Sequence, residues 1–599
     1  MLEDDTGLVL GVSRSAGNRR WIWRDPRLAE ADNRLALGMA QRAAIPELLA
    51  RILTARGVTA TEAASFLDPR LRDLMPDPSC LQDMDKAADR LAQAVRTHEH
   101  IGLFGDYDVD GACGTALVCD TLRELGCTVS THIPDRMTEG YGPNTPALEK
   151  LVSGGATLLV CIDCGTAAID ILNGFHGQTD VIVLDHHKPD GSILPNGIVV
   201  NPNRLDCTSG LGAICATAVA FLTMVATVRL LRRDGWFTDG RVAPDLLKRL
   251  DLAALATICD VMPLTGLNRA LVMQGLRVMA RGERLGLATL SSVAGVKEEA
   301  SAMACGFALG PRINAGGRIA KANLGLRLLL SEDVVEARAL ADELDNVNRQ
   351  RQSVEAGILA QAMEQAEQQI EANHAVIFLH GETWHPGVVG IVAGRLKERF
   401  NRPALVGALA DGIIKGSARS VPGLDIGAAI IAARQSGLLL TGGGHAMAAG
   451  FSLEAGNAAT FHELLDNTLS EARALPVQDA LRIDGLTTLR GASLEVAAQL
   501  GRLAPFGPGN EEPVLAISNV RCVKTDRIGK DGNTLRVMFQ GEDGGTRLKA
   551  LVFRAGDKPF VPLLEDRTMP LLHLAGHLRV ETWQERQNLT FFISDVSSA

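Results

Sequence analysis

The chain has 599 residues, of which 46% are hydrophobic and 22% charged, with a formal net charge of −10. That length exceeds one ordinary core and points to about three to five domains of a soluble globular protein. The acidic balance excludes a generally basic nucleic-acid binder while leaving room for a local basic channel, and an aromatic content of 4% keeps any base-stacking surface small.

The start, Met1-Leu2-Glu3-Asp4-Asp5, lacks the basic and apolar regions of a secretory signal. Eleven cysteines are scattered without a compact framework, so a reduced, cytoplasmic setting is expected. Cys161 and Cys164 supply only half of a four-cysteine zinc site. They read as packed residues flanking Asp163, with a redox pair as the minor alternative. Residues 207–228 carry no charge and are about long enough to span a bilayer. The stretch stands alone and holds Ser209, Gly210, Gly212, Thr217 and Thr223, so a buried helix is expected and no membrane contact.

In chain order, residues 1–45 read as an irregular, partly mobile segment. Residues 45–56 read as an amphipathic helix, and Thr59-Ala60-Thr61-Glu62 starts another. Phe66-Leu67-Asp68-Pro69 and Met75-Pro76-Asp77-Pro78 break the pattern, and 84–96 is helical again. Strands at 100–104, 129–133, 157–162, 181–184 and 198–201 then alternate with helices at 114–125, 146–153 and 167–173. This alternation implies a mainly parallel sheet covered on both faces, and such sheets place ligands beyond the carboxyl ends of their strands.

That rule sorts the candidate residues. Asp106, Asp108 and Asp110 occupy alternate positions after the strand at 100–104, and alternate residues point to one side. Like charges so close call for a cation, although a polar turn is the plainer alternative. Gly111 and Gly114 suit a tight turn into the following helix. Asp163 follows the strand at 157–162, Asp185-His186-His187 follows that at 181–184, and Asp260 follows a helical run at 252–258. Carboxylates with few imidazoles suit Mn²⁺ or Mg²⁺. There are ligands enough for two divalent cations, the arrangement used in phosphoryl hydrolysis.

Asp185-His186-His187 resembles the signature of the DHH phosphoesterases, and Asp108-Val109-Asp110-Gly111, Asp163-Cys164-Gly165 and Asp260 resemble that family's other metal motifs. Phe66-Leu67-Asp68-Pro69, Gly105-Asp106-Tyr107-Asp108 and Gly310-Pro311-Arg312-Ile313-Asn314-Ala315-Gly316-Gly317-Arg318 narrow the resemblance to its single-strand-specific 5′→3′ exonucleases, from about residue 45 onward. The resemblance implies metal ligands Asp108, Asp110, Asp163, His186 and Asp260, with Asp106 in support and His187 on the phosphate or leaving oxygen. It also implies single-stranded DNA as substrate, release of 5′-mononucleotides in recombination and repair, and helicase and single-strand-binding partners.

Residues 332–373 read as one long connector helix. A second α/β domain follows, in which Thr441-Gly442-Gly443-Gly444-His445 permits close approach of backbone to a ligand. A phosphate cradle at a helix start is expected there. The motif resembles the DHH-associated domain, which makes Ser417, Arg419, Gly443, Gly444 and His445 substrate-binding candidates. Arg136 and Arg318 are further candidates from the catalytic lobe, because Arg binds two phosphate oxygens at once; a surface ion pair is the alternative for each. From about residue 481, short strands suggest a small barrel, OB-like by the resemblance. Arg521, Lys524, Arg527, Lys530 and Arg536 would form a basic stripe on it. Phe539, Phe553 and Trp583 would either stack bases or fill the core.

The expected α/β architecture is therefore an irregular segment (1–45), a DHH-type catalytic domain with a mainly parallel sheet (46–330), a connector helix (331–374), a DHH-associated substrate-binding domain (375–475) and a C-terminal OB-like barrel (476–599). A monomer is expected. The rival readings are a phosphatase or short-oligonucleotide hydrolase of the same superfamily, and an inactive DNA-binding scaffold.

Overall fold

The computed structural model describes residues 7–29, 33–136, 138–189, 191, 193–296, 300–475, 480–529, 532–583 and 586–599, with the side chains of 582 and 583 excepted. The chain forms two compact units. One comprises residues 69–357 together with 505–510; the other comprises 1–68, 358–504 and 511–599. These divisions cut across the expected boundaries: 46–68 group with the C-terminal half, and 505–510 with residues 69–357.

The first unit holds a five-stranded parallel sheet in the order Thr128–His132, His100–Gly105, Leu158–Ile162, Asp180–Leu184, Ile198–Val200. Its strands alternate between two apolar clusters, as a pleat requires. Ile101, Leu103, Leu158, Val160, Ile162, Ile182 and Leu184 pack on one face. Phe104, Leu159, Cys161, Val181 and Val183 pack on the other. The first face is covered by the helices Met84–Arg96, Val109–Glu124, Ala216–Arg233 and Leu250–Cys259. Met84–Arg96 buries Met84, Ala87, Ala88, Leu91, Ala92 and Val95, a 3-and-4-residue spacing that makes one apolar stripe.

Two expectations need correction here. The helix after the first strand begins at Val109, not near 114, so Asp110 and Gly111 lie in its first turn. Gly111 is required for closeness and not for a turn, because a Cβ there would run into the backbone of Asp106. The uncharged stretch at 207–228 becomes helical only from Ala216, and its Thr217, Thr223 and Thr227 are all buried. Among the described residues no helix is long and apolar enough to cross a membrane. Cys161 and Cys164 are buried and free.

The helix Val334–Glu371 spans 38 residues, as the composition of 332–373 requires. In the first unit it buries Ala337, Leu340, Ala341 and Leu344.

In the second unit residues 7–29 and 33–45 are not the irregular segment expected. Trp21–Trp23 pairs in parallel with Leu481–Ile483, and Asn33 caps the helix Arg34–Ala43. The buried carboxylate of Asp595 accepts from the Ser15 hydroxyl at 2.6 Å, the Gly17 N–H at 3.0 Å and the Trp21 indole at 2.9 Å. The middle sheet runs Thr441–His445, Ala448–Glu454, Ile413–Arg419, Ala404–Ala410, Ile377–Gly381, with only the last pair parallel. Gly442-Gly443-Gly444-His445 is thus an edge strand and does not open a helix. Its glycines admit a close neighbour instead. A Cβ on Gly442 would press on Ile430 and Leu439, and one on Gly427 of the helix Ile426–Gln435 would press on the His445 backbone.

In the C-terminal sheet the first long strand, Leu515–Ile528, runs for 14 residues, and its register against Leu571–Trp583 shifts between Ile517 and Val520. Leu515–Ile528 pairs with both Thr534–Gly541 and Leu571–Trp583. With Arg547–Phe553 and Arg586–Ser598, each of these five strands has a hydrogen-bonded neighbour on both sides, and the sixth strand, Gly485–Thr487, pairs in parallel with the start of Leu515–Ile528.

Candidate metal centre

Three strand ends and one helix end deliver the acidic groups. Asp106 follows His100–Gly105, its N–H held by the Ile162 carbonyl. Asp108 caps the helix Val109–Glu124, accepting from the N–H groups of Asp110 at 2.9 Å and Gly111 at 3.1 Å. Asp110 is 1% exposed. Its two oxygens accept from the N–H groups of Ala216 at 2.7 Å and Thr217 at 2.8 Å. These open the helix Ala216–Arg233, so a helix N-terminus holds a carboxylate that also faces the cluster. Asp163 follows Leu158–Ile162 with φ +63°. Asp260 ends Leu250–Cys259 and precedes Val261, at φ +60°. Both are rare left-handed conformations for residues with a Cβ, and Val261 is β-branched as well.

These groups meet around His186. Its Nε2 lies 3.4 Å from Asp163 Oδ1, 3.5 Å from Asp260 Oδ2 and 3.9 Å from Asp110 Oδ2. Three triads have ligand atoms within 4.8 Å of one another: Asp106, Asp108 and Asp163; Asp110, His186 and Asp260; and Asp163, His186 and His187. Burial and then mutual repulsion push the carboxyls of Asp106, Asp108 and Asp163 upward, and that of Asp260 to about 8. Burial lowers His186, leaving it a neutral donor. Asp106 Oδ1, Asp163 Oδ1 and Asp260 Oδ2 are buried with no protein hydrogen-bond partner. Unpartnered, crowded carboxylate oxygens of this kind fit divalent cations.

Asp185, the first residue of the Asp-His-His motif, has another task. Its oxygens accept from the N–H groups of Thr166, His186 and His187, and Oδ1 lies 2.8 Å from His187 Nδ1. Burial opposes the charged forms of both groups, but the pairing prevails. Asp185 falls to about 2 and His187 rises to about 9. Tyr141, which no sequence motif singles out, donates to the Asp163 carbonyl at 3.4 Å and sits equally close to the His187 ring. Its only sequence mark is its isolation as one of two tyrosines.

Arg136 lies over the Tyr107 ring, 5.2 Å from its centroid. Arg318 ends the helix Gly310–Ile319. The rest of that motif serves the aspartate loop: Asn314 Oδ1 accepts the Val109 N–H at 3.1 Å, and any Cβ on Gly317 would crowd Tyr107.

In the other unit, strand register sets the second group. Gly443, Gly450 and Ser417 form one cross-strand row, and His445, Ala448 and Arg419 the next row on the same side. Ser417, Arg419 and His445 therefore share one sheet face with a side-chain-free floor at Gly443 and Gly450. Gly390, in Val389–Phe400, abuts Ser417 and Arg419. Gly444 faces the opposite side, so of the glycine candidates Gly443 is the one on this surface.

The expected basic stripe is largely neutralised. Arg527 pairs with Glu565 at 2.9 Å, Arg536 and Lys524 with Asp526 at 3.0 and 3.6 Å, and Arg521 donates to the Met569 carbonyl. Lys530 and the Trp583 side chain lie outside the described residues. Phe539 is core. Phe553 is 55% exposed and stacks on Phe592, over which Arg579 also lies.

Comparison with known proteins matches residues 100–247 to the DHH family N-terminal domain, 371–471 to the DHHA1 domain and 483–595 to the RecJ OB domain. The single-stranded-DNA-specific exonuclease RecJ of Salmonella typhimurium is 35% identical over 588 residues, covering 96% of this chain and 99% of that protein. The RecJ of Bacillus subtilis is 33% identical over 593 residues, covering 97% of this chain and 71% of the relative. The match thus reaches into the first 45 residues, which the motifs alone had left out. The crystal structure of RecJ in complex with Mn²⁺ from Thermus thermophilus superposes with a TM-score of 0.77 at 30% identity, covering 94% of this chain and 78% of that one. With its strand-end carboxylates, its Asp-His-His turn and its OB domain, the chain belongs to the RecJ family of single-stranded-DNA-specific exonucleases.

Proposed function

We propose that this exonuclease hydrolyses single-stranded DNA from the 5′ end, releasing 5′-mononucleotides with two divalent cations, Mn²⁺ or Mg²⁺. The observation that carries the reading is the trio of buried, unpartnered oxygens on Asp106, Asp163 and Asp260, inside a cluster of seven metal-competent side chains. Asp110, His186 and Asp260 would hold one cation, and Asp106, Asp108 and Asp163 the other. Bound there, divalent cations neutralise the scissile phosphate and lower the pKa of water.

The remaining steps belong to the protein. The Asp185–His187 pair presents a protonated imidazole, fit to contact the phosphate or to donate a proton to the leaving oxygen. Tyr141 props that ring. Arg136 and Arg318 would steer phosphate toward the cluster, while Ser417, Arg419 and His445 grip the backbone over the Gly443 floor. Phe553 offers one face for stacking a base. The functional division is a catalytic domain (46–330), a connector (331–374), a substrate-binding domain (375–475) and an OB domain (476–599). The working form is a cytoplasmic monomer acting in recombination and repair on strands unwound by a helicase and coated by single-strand-binding protein.

The test uses labelled long single-stranded DNA, its duplex and a dinucleotide, with Mn²⁺ or Mg²⁺. Metal-dependent loss of 5′-terminal nucleotides from the long strand alone is expected, and none with Asp163→Ala. Cleavage of the dinucleotide alone would reject the long-strand substrate.

A further inference from the structure

Among the candidate ligands Asp260 is the one placed by the C-terminal end of a helix, and the chain beyond it is unusual. Val261 holds φ +60° while 62% exposed, so no packing of its side chain explains the conformation. A left-handed β-branched residue is strained and persists only where its surroundings impose it. Upstream, the turn is closed by the Val261 N–H to Ile258 and the Met262 N–H to Thr257, both at 3.1 Å. Downstream, the restraint comes from far along the chain. The Leu264 N–H donates to the Pro508 carbonyl at 2.7 Å. Asn510 Nδ2, itself buried, braces the Pro505 carbonyl at 2.8 Å. Arg269, 1% exposed, reaches the same carbonyl at 3.4 Å. Gly507 and Gly509 lie so close that a Cβ on either would touch Leu264 or Pro263. Asn268 then ties the Pro263 carbonyl at 3.0 Å to the Ala213 carbonyl at 2.7 Å, three residues before the N–H that holds Asp110.

We infer that the Pro505–Asn510 loop is a positioning clamp for Asp260, with Asn510 and Arg269 as positioning residues. It keeps the strained Asp260–Thr265 turn closed, so that Asp260 Oδ2 stays aimed at His186 and completes the Asp110–His186–Asp260 triad. The inference rests on the reading of Asp260 as a metal ligand.

The experiment is Mn²⁺ titration of the full-length protein, followed by electron paramagnetic resonance of the free ion, on wild type, Asp260→Ala, Asn510→Ala, Gly507→Ala and the milder Arg269→Lys. Melting temperature is recorded for each. Asp260→Ala should remove one Mn²⁺ of two; if it removes none, the ligand reading itself is wrong. Given that loss, the clamp variants should weaken one Mn²⁺ at least tenfold and leave the other unchanged. KM for single-stranded DNA should stay constant, and excess Mn²⁺ should restore kcat. Adding Val261→Gly, which makes the left-handed turn easy, should recover most of the lost affinity in Asn510→Ala. Wild-type Mn²⁺ binding in folded clamp variants, or a lowered melting temperature with no Mn²⁺ change, would overturn the inference.

Discussion

At the scale of single residues, the Asp-His-His signature splits into three roles. His186 faces the carboxylates, His187 carries charge, and Asp185 makes His187 able to carry it. Removing the Asp185 charge should therefore harm chemistry more than binding. Asp185→Asn is expected to lower single-turnover cleavage by about 10²–10⁴-fold with little change in DNA affinity. Its pH dependence has a definite sign. Asp185 holds the His187 proton up to about pH 9, so the variant's alkaline limb should move to lower pH; an unmoved limb would detach His187 from proton transfer. Asp163→Ala should cost several kcal/mol of transition-state stabilisation, about 10³-fold or more in kcat/KM. These residues were legible in the sequence because strand alternation and the strand-end rule needed no tertiary knowledge. Tyr141 was not, since a lone tyrosine in a loop has no period or spacing to mark it. Asp260 stood out after a helical run, but its role as a ligand came only through resemblance, because nothing in a helix end points toward a strand rim.

At the scale of elements, glycines mark where two backbones meet. Gly111 lets the Asp108-capped helix start against Asp106. Gly111→Ala should destabilise the catalytic unit by about 1–3 kcal/mol and lower Mn²⁺ affinity together with melting temperature. Reading Gly111 as a turn residue placed the helix start five residues late, since Asp in a first turn is ambiguous between cap and loop. The triple glycine misled in the same way. A glycine run reads as a ligand-binding turn, whereas here it is an edge strand thinned to admit the helix Ile426–Gln435. The face proposed to bind substrate is set by register with Arg419 and Ser417, which no local pattern shows. Arg419→Ala should weaken binding of a single strand about tenfold. It should also reduce the slope of log affinity against log salt by about 0.7 for each phosphate no longer neutralised, as measured by fluorescence anisotropy.

At the scale of the whole molecule, the parallel sheet and the long helix were written in local periodicity, while pairings between distant segments were not. Trp21–Trp23 finds its neighbour at Leu481–Ile483, and the residues that anchor it converge on Asp595. Asp595→Ala strands the buried donors of Ser15, Gly17, Trp21 and Val596 and should destabilise that unit by about 3 kcal/mol or more, read by urea denaturation against an unchanged metal centre. The loop 505–510 shows the same separation between sequence and space, and it has a consequence in time. Translation delivers residues in order, at about 5–20 per second, so the roughly 150 residues between 357 and 505 take about 7–30 s to emerge. Through that interval a nascent chain carries its aspartates and histidines but lacks the last piece of the unit that holds them. On the clamp proposed above, the Asp110–His186–Asp260 triad gains its last support only once residue 510 has emerged.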